Sequence, residues 1–453
     1  MAEGPIRVSS GTFRVDRARM LAKLTRFQFP TRTAFLDGWL RAACASQATR
    51  IELESLPDGF SLRFDGKPFS RERLETVYDA LFDPGGTDGR RCQYLALGLL
   101  GCLRLGPAEV TIDSGKGDSR VRFGARSLDE ESLTGASGEE DDHTIIRVTG
   151  CRGINHSALT AHAENVCEVP TMVDGHPFHR ALDPEWLAGP RATFNREGLR
   201  AVVARELHRE EATVRVYVDG VLAKDFPVSD CPAVVWAHAT SRALRLDAGK
   251  GNVIADSAFQ EVLGVVRRSA VQLFDETLSG QRRRLRLAGK LMLKDRRLRD
   301  VWEEELASSK DTSDGLRWAL GKARRGLAAM AGKRPEEEER ADVAETARVT
   351  RWLRTASRLS LRGWQLNAAK PSDRLRPAWT APLFLDWKAR PLSLLELRTA
   401  LENSGSLNWS AAPRSADSKA TLEPVVWTVG ASDLETLHAV FRGARAHDVT
   451  PLA

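Results

Sequence analysis

The chain has 453 residues, 42% of them hydrophobic and 28% charged, with a formal net charge of +6. That length exceeds what one hydrophobic core serves, because cores stop growing near roughly 250–300 residues, and that composition excludes a disordered polyelectrolyte. Lys and Arg number 67 against 61 Asp and Glu, so the overall charge by itself is only a weak pointer to nucleic acid.

The longest apolar stretch, Leu95 to Leu103, is shorter than the roughly 20 residues a spanning helix needs, and the opening MAEGPIRVSS has no apolar signal core. The expectation is a cytoplasmic protein without a membrane segment. Cys44, Cys92, Cys102, Cys151, Cys167 and Cys231 are scattered, with no C-x-x-C pair and no His at metal-ligand spacing, so they are expected to be reduced and structural.

In chain order, residues 18 to 48 predict two helices broken at Pro30, one with Met20, Leu21, Leu24 and Phe27 on its face, the next with Phe35, Leu36, Trp39, Leu40 and Ala43. RIELESLPDGFSLRF alternates apolar residues around Pro57-Asp58-Gly59 and predicts a hairpin. A helix is expected over Arg71 to Phe82, then a Gly-rich loop from Asp83 to Gly89, then a helix carrying YLALGLLGCLRLG. The strand pair EVTIDSG and SRVRFGA follows, then an exposed acidic loop from Asp129 to Asp142 and the strand HTIIRV.

Strands are expected in VPTMVDGHPF and VRVYVDGVLAKDFPV, helices from Asn252 to about Leu366 with breaks at Asp311 to Gly315 and Lys333 to Glu339, and a terminal portion with the strand VVWTV and a helix from Asp433 to Phe441. The fold class is thus α/β (α+β), in four parts: residues 1–155, 156–252, 253–370 and 371–453.

The first part resembles the nucleotide-binding domain of the GHKL superfamily, most closely the ninety-kilodalton heat-shock chaperones, and the stretch MLAKLTRFQFPTRTAFLDGWLRAACASQATRIEL carries the likeness. The resemblance implies a Bergerat-type α/β sandwich followed by a transducer-like α/β domain over residues 156–252. It also implies a second helix bearing a Glu that activates water, an Asn that holds magnesium and a supporting Asp. Those places hold Gly38, Ala42 and Ala45, none of which is a base or a metal ligand. The family's adenine-binding D-x-G-x-G turn corresponds to Asp65-Gly66-Lys67-Pro68-Phe69, its glycine-rich phosphate element to Gly98 and Gly101, and its Thr near adenine to Thr144. Asp65, Gly66, Gly98, Gly101 and Thr144 would line a vestigial pocket only. Bulky residues between Gly98 and Gly101 suggest a packed helix in place of a phosphate nest.

The reading expected from this is a catalytically inactive scaffold that meets a protein partner, with no cofactor, no metal and an open oligomeric state. One alternative is an ATP-binding chaperone keeping Asp65 and using magnesium at a non-standard site. The other is a nucleic-acid binder acting through Arg282, Arg283, Arg284, Arg286, Lys290, Arg296, Arg297 and Arg299, on an amphipathic helix whose apolar stripe is Leu287, Leu291, Leu298 and Trp302. The tryptophans Trp352, Trp364, Trp379, Trp387, Trp409 and Trp427 read mainly as core, and His143, His156, His162, His176 and His179 as hairpin surface. The chain contains neither a P-loop nor a G-x-S-x-G elbow.

Overall fold

The computed structural model describes residues 33–82, 86–136, 142–151, 154, 156–164, 166–178, 180–185, 187, 190–196, 198–206, 211–231, 233–247, 252–307, 335–360, 379–414, 424–441 and 445–450. Among the described residues it is a mixed α/β protein with three β-sheets. Two compact units make up the chain: the first is Met1–Ala181 with Tyr217–Lys224 and Arg242–Ile254, the second Leu182–Val216 with Asp225–Ser241 and Ala255–Ala453. The helix expected around Met20 to Phe27 lies outside the described residues.

The first unit opens on α1 (Ala34–Ala45), which buries Phe35, Leu36, Trp39, Leu40 and Ala43, the face read from their helical spacing. β1 (Ile51–Leu56) and β2 (Gly59–Phe64) form the expected hairpin, registered from Ile51 opposite Phe64 to Leu56 opposite Gly59. α2 (Arg71–Glu75) is shorter than expected, because the backbone leaves helical geometry at Thr76, with φ −113° and ψ 31°. Only a single tight turn over Asp79–Leu81 continues the segment. α3 (Gly86–Leu103) includes Gly86 to Gly89, so the expected loop is helical there, and its residues 83–85 lie outside the described ones.

β3 (Glu109–Gly115) and β4 (Val121–Ala125) pair antiparallel as expected. The acidic stretch expected as a loop instead contains β5 (Glu131–Gly135), the edge strand beside β4. Its side chains are mostly exposed, so no apolar alternation marks it, and charge on an exposed edge discourages pairing with other chains. β6 (His143–Thr149) lies between β3 and β2. After α4 (His156–Ala161), the hairpin of β7 (Thr171–Val173) and β8 (His176–Phe178) joins this same sheet through a parallel pairing of β7 with β1. The order is β5-β4-β3-β6-β2-β1-β7-β8, so the sheet runs past the boundary expected at residue 155. One core gathers Phe35, Trp39, Leu95 and Leu99 from the helices with Leu62, Ile112, Ile146 and Val148 from the strands.

The second sheet contains β9 (Arg191–Arg196), β10 (Leu199–Arg205), β11 (Thr213–Val218), β12 (Val221–Pro227) and β13 (Val235–Ser241), in the order β12-β11-β13-β10-β9. α5 (Ser257–Lys294) is capped by Asp256, whose carboxylate accepts from the amides of Ala258 and Phe259. α6 (Arg297–Ala307) and α7 (Pro335–Ser360) follow within the expected helical part, whose residues 308–334 and 361–370 lie outside the described ones. The third sheet holds β14 (Pro382–Asp386), β15 (Pro391–Ser393), β16 (Leu407–Ser410), β17 (Val425–Trp427) and β18 (Ala446–Asp448), with α8 (Leu394–Ser404) and α9 (Ala431–Val440) in its connections. Its order is β15-β14-β17-β16-β18, with β17 and β18 parallel to β16. Trp302, Trp387 and Trp427 lie in one core with Leu285, Ala288 and Met292; Trp352 and Trp379 are buried too, Trp409 is half-buried, and Trp364 lies outside the described residues. No helix among the described residues is long and apolar enough to cross a membrane.

Candidate functional site

The residues that the GHKL resemblance assigns to a nucleotide cleft all lie in the first unit, on α1, on α3, in the turn after β2 and, for Thr144, on β6. Gly38 is pressed against the backbone of α3: a Cβ there would stand 2.9 Å from the Gly98 amide nitrogen and 3.0 Å from the Tyr94 carbonyl oxygen. Gly98 is held equally close, since its own Cβ would fall 2.3 Å from Cδ1 of Trp39. The Trp39 indole donates to the Leu95 carbonyl at 3.3 Å. Gly38 and Gly98 therefore serve the close approach of two helices. Ala42 is fully buried and Ala45 half-buried on the same helix, while Gly101 is buried within α3. The acid of α1, Asp37, turns to His162 at 3.9 Å; burial raises its carboxyl above the usual range, and Arg41 and His162 oppose that.

Asp65 spends its carboxylate on the chain itself. It accepts from the Thr49 amide at 2.7 Å, the Thr49 hydroxyl at 2.5 Å and the Arg50 amide at 3.0 Å. Desolvation works against its ionised form, but these donors outweigh it and hold the group below the ordinary carboxylate value. Gly66 has φ +96° and lies so close to the end of α1 that a Cβ would come 2.4 Å from the Ser46 carbonyl oxygen. Thr144 shares a buried 2.8 Å hydrogen bond with Ser114, whose hydroxyl also accepts from the Phe69 amide at 2.8 Å.

Arg91, which sequence reasoning missed, ties these pieces together. It is 2% exposed. Its guanidinium donates to the Ser46 hydroxyl, to the carbonyls of Lys67 and Pro68, and to Asp88, and it stands 4.3 Å over the Phe69 ring. The end of α1, the Asp65 turn and α3 are thus joined by direct bonds. The sequence around Arg91, with Asp88, Arg90 and Gln93 beside it, marks an ordinary polar helix start and does not say what the side chain reaches.

Asp88 is held down to about 2 from 3.8, first by its hydrogen bond from Lys67 at 2.7 Å and then by Arg91 at 2.9 Å, with desolvation opposing. A carboxylate depressed in the fold contributes stability above its unfolded value, and that contribution is lost as pH falls through the folded one. Urea midpoints taken at pH 5, 3.5 and 2.5 are expected to fall steeply below pH 4, and Asp88→Asn to flatten that fall. Equal slopes for both proteins would remove the role assigned to this carboxylate.

The basic segment lies in the second unit and does not behave as one surface. Arg282 pairs with Glu396 at 3.3 Å, and Arg299 donates to the Met292 carbonyl and stands 5.4 Å from the Trp427 ring. Arg283, Arg284, Arg286, Lys290, Arg296 and Arg297 are exposed. The apolar stripe differs from the one expected: Leu287 is 51% exposed, and Leu285, Ala288 and Met292 are buried in its place. Helix α5 ends at Lys294 and Asp295 accepts from the Arg297 amide, so the angular register of Leu298 and Trp302 restarts with α6.

His156 contacts Asp174 at 2.5 Å, His162 lies near Asp37, and His179 is outside the described residues. Among the described residues no group of three or more His, Cys, Asp or Glu side chains could hold a metal ion. All six cysteines are free, with the sulfurs of Cys44 and Cys167 3.4 Å apart. Neither a protein-family model nor a curated protein matches this chain.

Proposed function

We propose that this chain is a non-catalytic, chaperone-like scaffold of GHKL type, a pseudo-ATPase whose first unit serves to present surfaces to a protein partner. The observation that carries the reading is the contact of Gly38 with the backbone of Gly98 and Tyr94, which leaves space for a hydrogen atom where an acting ATPase needs a carboxylate. The internal bonding of Asp65 and Thr144, together with Arg91 bridging the turn and both helices, supports the same view. A cytoplasmic setting agrees with the six free thiols.

Isothermal titration of the full chain with ATP and magnesium tests the proposal. The expected trace is flat up to millimolar nucleotide, with no phosphate released. Micromolar binding accompanied by phosphate release would establish the ATP-binding alternative and end the scaffold reading.

A further inference from the structure

The last turns of α5, from Arg283 to Lys294, carry cations on their outer face and no carboxylate. Leu285, Ala288 and Met292 anchor one side of the helix in the core, and Gly289 brings it so close to β14 that a Cβ would lie 3.1 Å from the Leu385 methyls. That anchoring fixes which residues point away. Arg283, Arg286, Lys290 and Lys294 all fall on the opposite side, spaced three or four residues apart, and all are exposed. Among the described residues none of these four forms an ion pair, whereas the neighbouring Arg282 has Glu396. Beyond the helix Asp295 interrupts the positive charge before Arg296 and Arg297, and Arg284 lies on the flank of the stripe.

We propose that this stripe is a docking surface for the phosphate backbone of a nucleic acid. From Arg283 to Lys294 it extends about 16 Å at the helical rise of ~1.5 Å per residue. A duplex presents one negative charge per ~1.7 Å of its axis with no positive charge between. A stripe of cations without an intervening carboxylate suits that regular polyanion better than it suits an acidic protein face, where both signs are interspersed. A lipid surface would need a broad apolar face beside the charges, and the exposed Leu287 and Leu293 are single surface leucines of the kind soluble proteins carry ordinarily. When a protein touches phosphates alone, binding is strongly salt-dependent and indifferent to sequence.

The test is fluorescence anisotropy of the full chain with an end-labelled 30-base-pair duplex from 50 to 300 mM salt. Replacing Arg283, Arg286, Lys290 and Lys294 together by Gln is expected to weaken binding on the order of 100-fold at low salt. The slope of log affinity against log salt should fall by about 3 to 4, near 0.9 for each phosphate that is no longer neutralised. Should that variant lack a thermal transition, Arg286→Gln with Lys290→Gln serves instead, with a slope reduction near 2. Duplexes of unrelated sequence should bind alike. The proposal is overturned if the unaltered chain does not bind the duplex, if the substitutions leave affinity and slope unchanged, or if phosphatidylserine vesicles are bound while the duplex is not. None of these results depends on whether the chain binds ATP, so the surface and the scaffold reading stand or fall separately.

Discussion

Arg354→Leu is expected to destabilise the second unit by about 3–5 kcal/mol, the cost of leaving a buried carboxylate without its partner. Arg354 and Asp433 are 4% and 2% exposed. The guanidinium donates to Asp433 at 2.5 Å and to the Leu383 carbonyl at 2.7 and 3.1 Å, and lies 4.7 Å from the Phe384 ring. Asp433 in turn accepts from the Val429 amide at 3.0 Å and the Trp302 indole at 3.4 Å. Removing the cation strips the carboxylate of its charge partner and the Leu383 carbonyl of its donors, in a place water does not reach.

Replacing both members, as Arg354→Leu with Asp433→Leu, should recover part of the loss, because a buried pair exchanged for apolar groups is often near neutral. Recovery stays incomplete because the Val429 amide and the Trp302 indole keep no acceptor. Denaturant titrations followed by tryptophan fluorescence will read this unit well, since Trp302, Trp352, Trp379, Trp387 and Trp427 are all buried in it. A single variant within 1 kcal/mol of the unaltered chain would contradict the account.

Gly38→Glu, which introduces the acid that the GHKL resemblance would place there, should cost more than about 4 kcal/mol and give no ATP turnover. Its Cβ would press on the Gly98 amide at 2.9 Å and the Tyr94 carbonyl at 3.0 Å, both backbone atoms of a helix that cannot yield locally. The carboxylate would then be carried into the tight contact between two helices. Gly38→Ala separates the two effects: helix propensity favours it by about 1 kcal/mol, while overpacking opposes it by about 1–3 kcal/mol. A net loss near 1 kcal/mol is expected. Thermal melts of the full chain, compared between Gly38→Ala and Gly38→Glu, read this loss. If Gly38→Glu folded with unchanged stability and released phosphate from ATP, both the packing argument and the scaffold reading would fail.

Much of the first unit could be read from local pattern. The apolar spacing from Phe35 to Ala43 marked α1, the alternation around Pro57-Asp58-Gly59 marked the first hairpin, and HTIIRV marked β6. Short-range rules suffice there because each element's face or turn chemistry is written within a few residues. The exposed edge strand β5 escaped the same rules, having no buried face to leave an imprint, and α2 stops at Thr76 without a Gly or Pro to mark the end.

The sequence by itself determined the α/β class, most helices and hairpins, and the identity of Gly38, Ala42 and Ala45 at positions where catalysis by resemblance would need acids and an amide. Tertiary structure alone decided that β7 pairs in parallel with β1, that Arg91 joins three separate segments, and that the cations of α5 divide between paired Arg282, packed Arg299 and an outward stripe. Those outcomes depend on groups far apart along the chain meeting in space, and side-chain bonding and burial at such meetings follow from the packing of whole layers, which no local periodicity encodes.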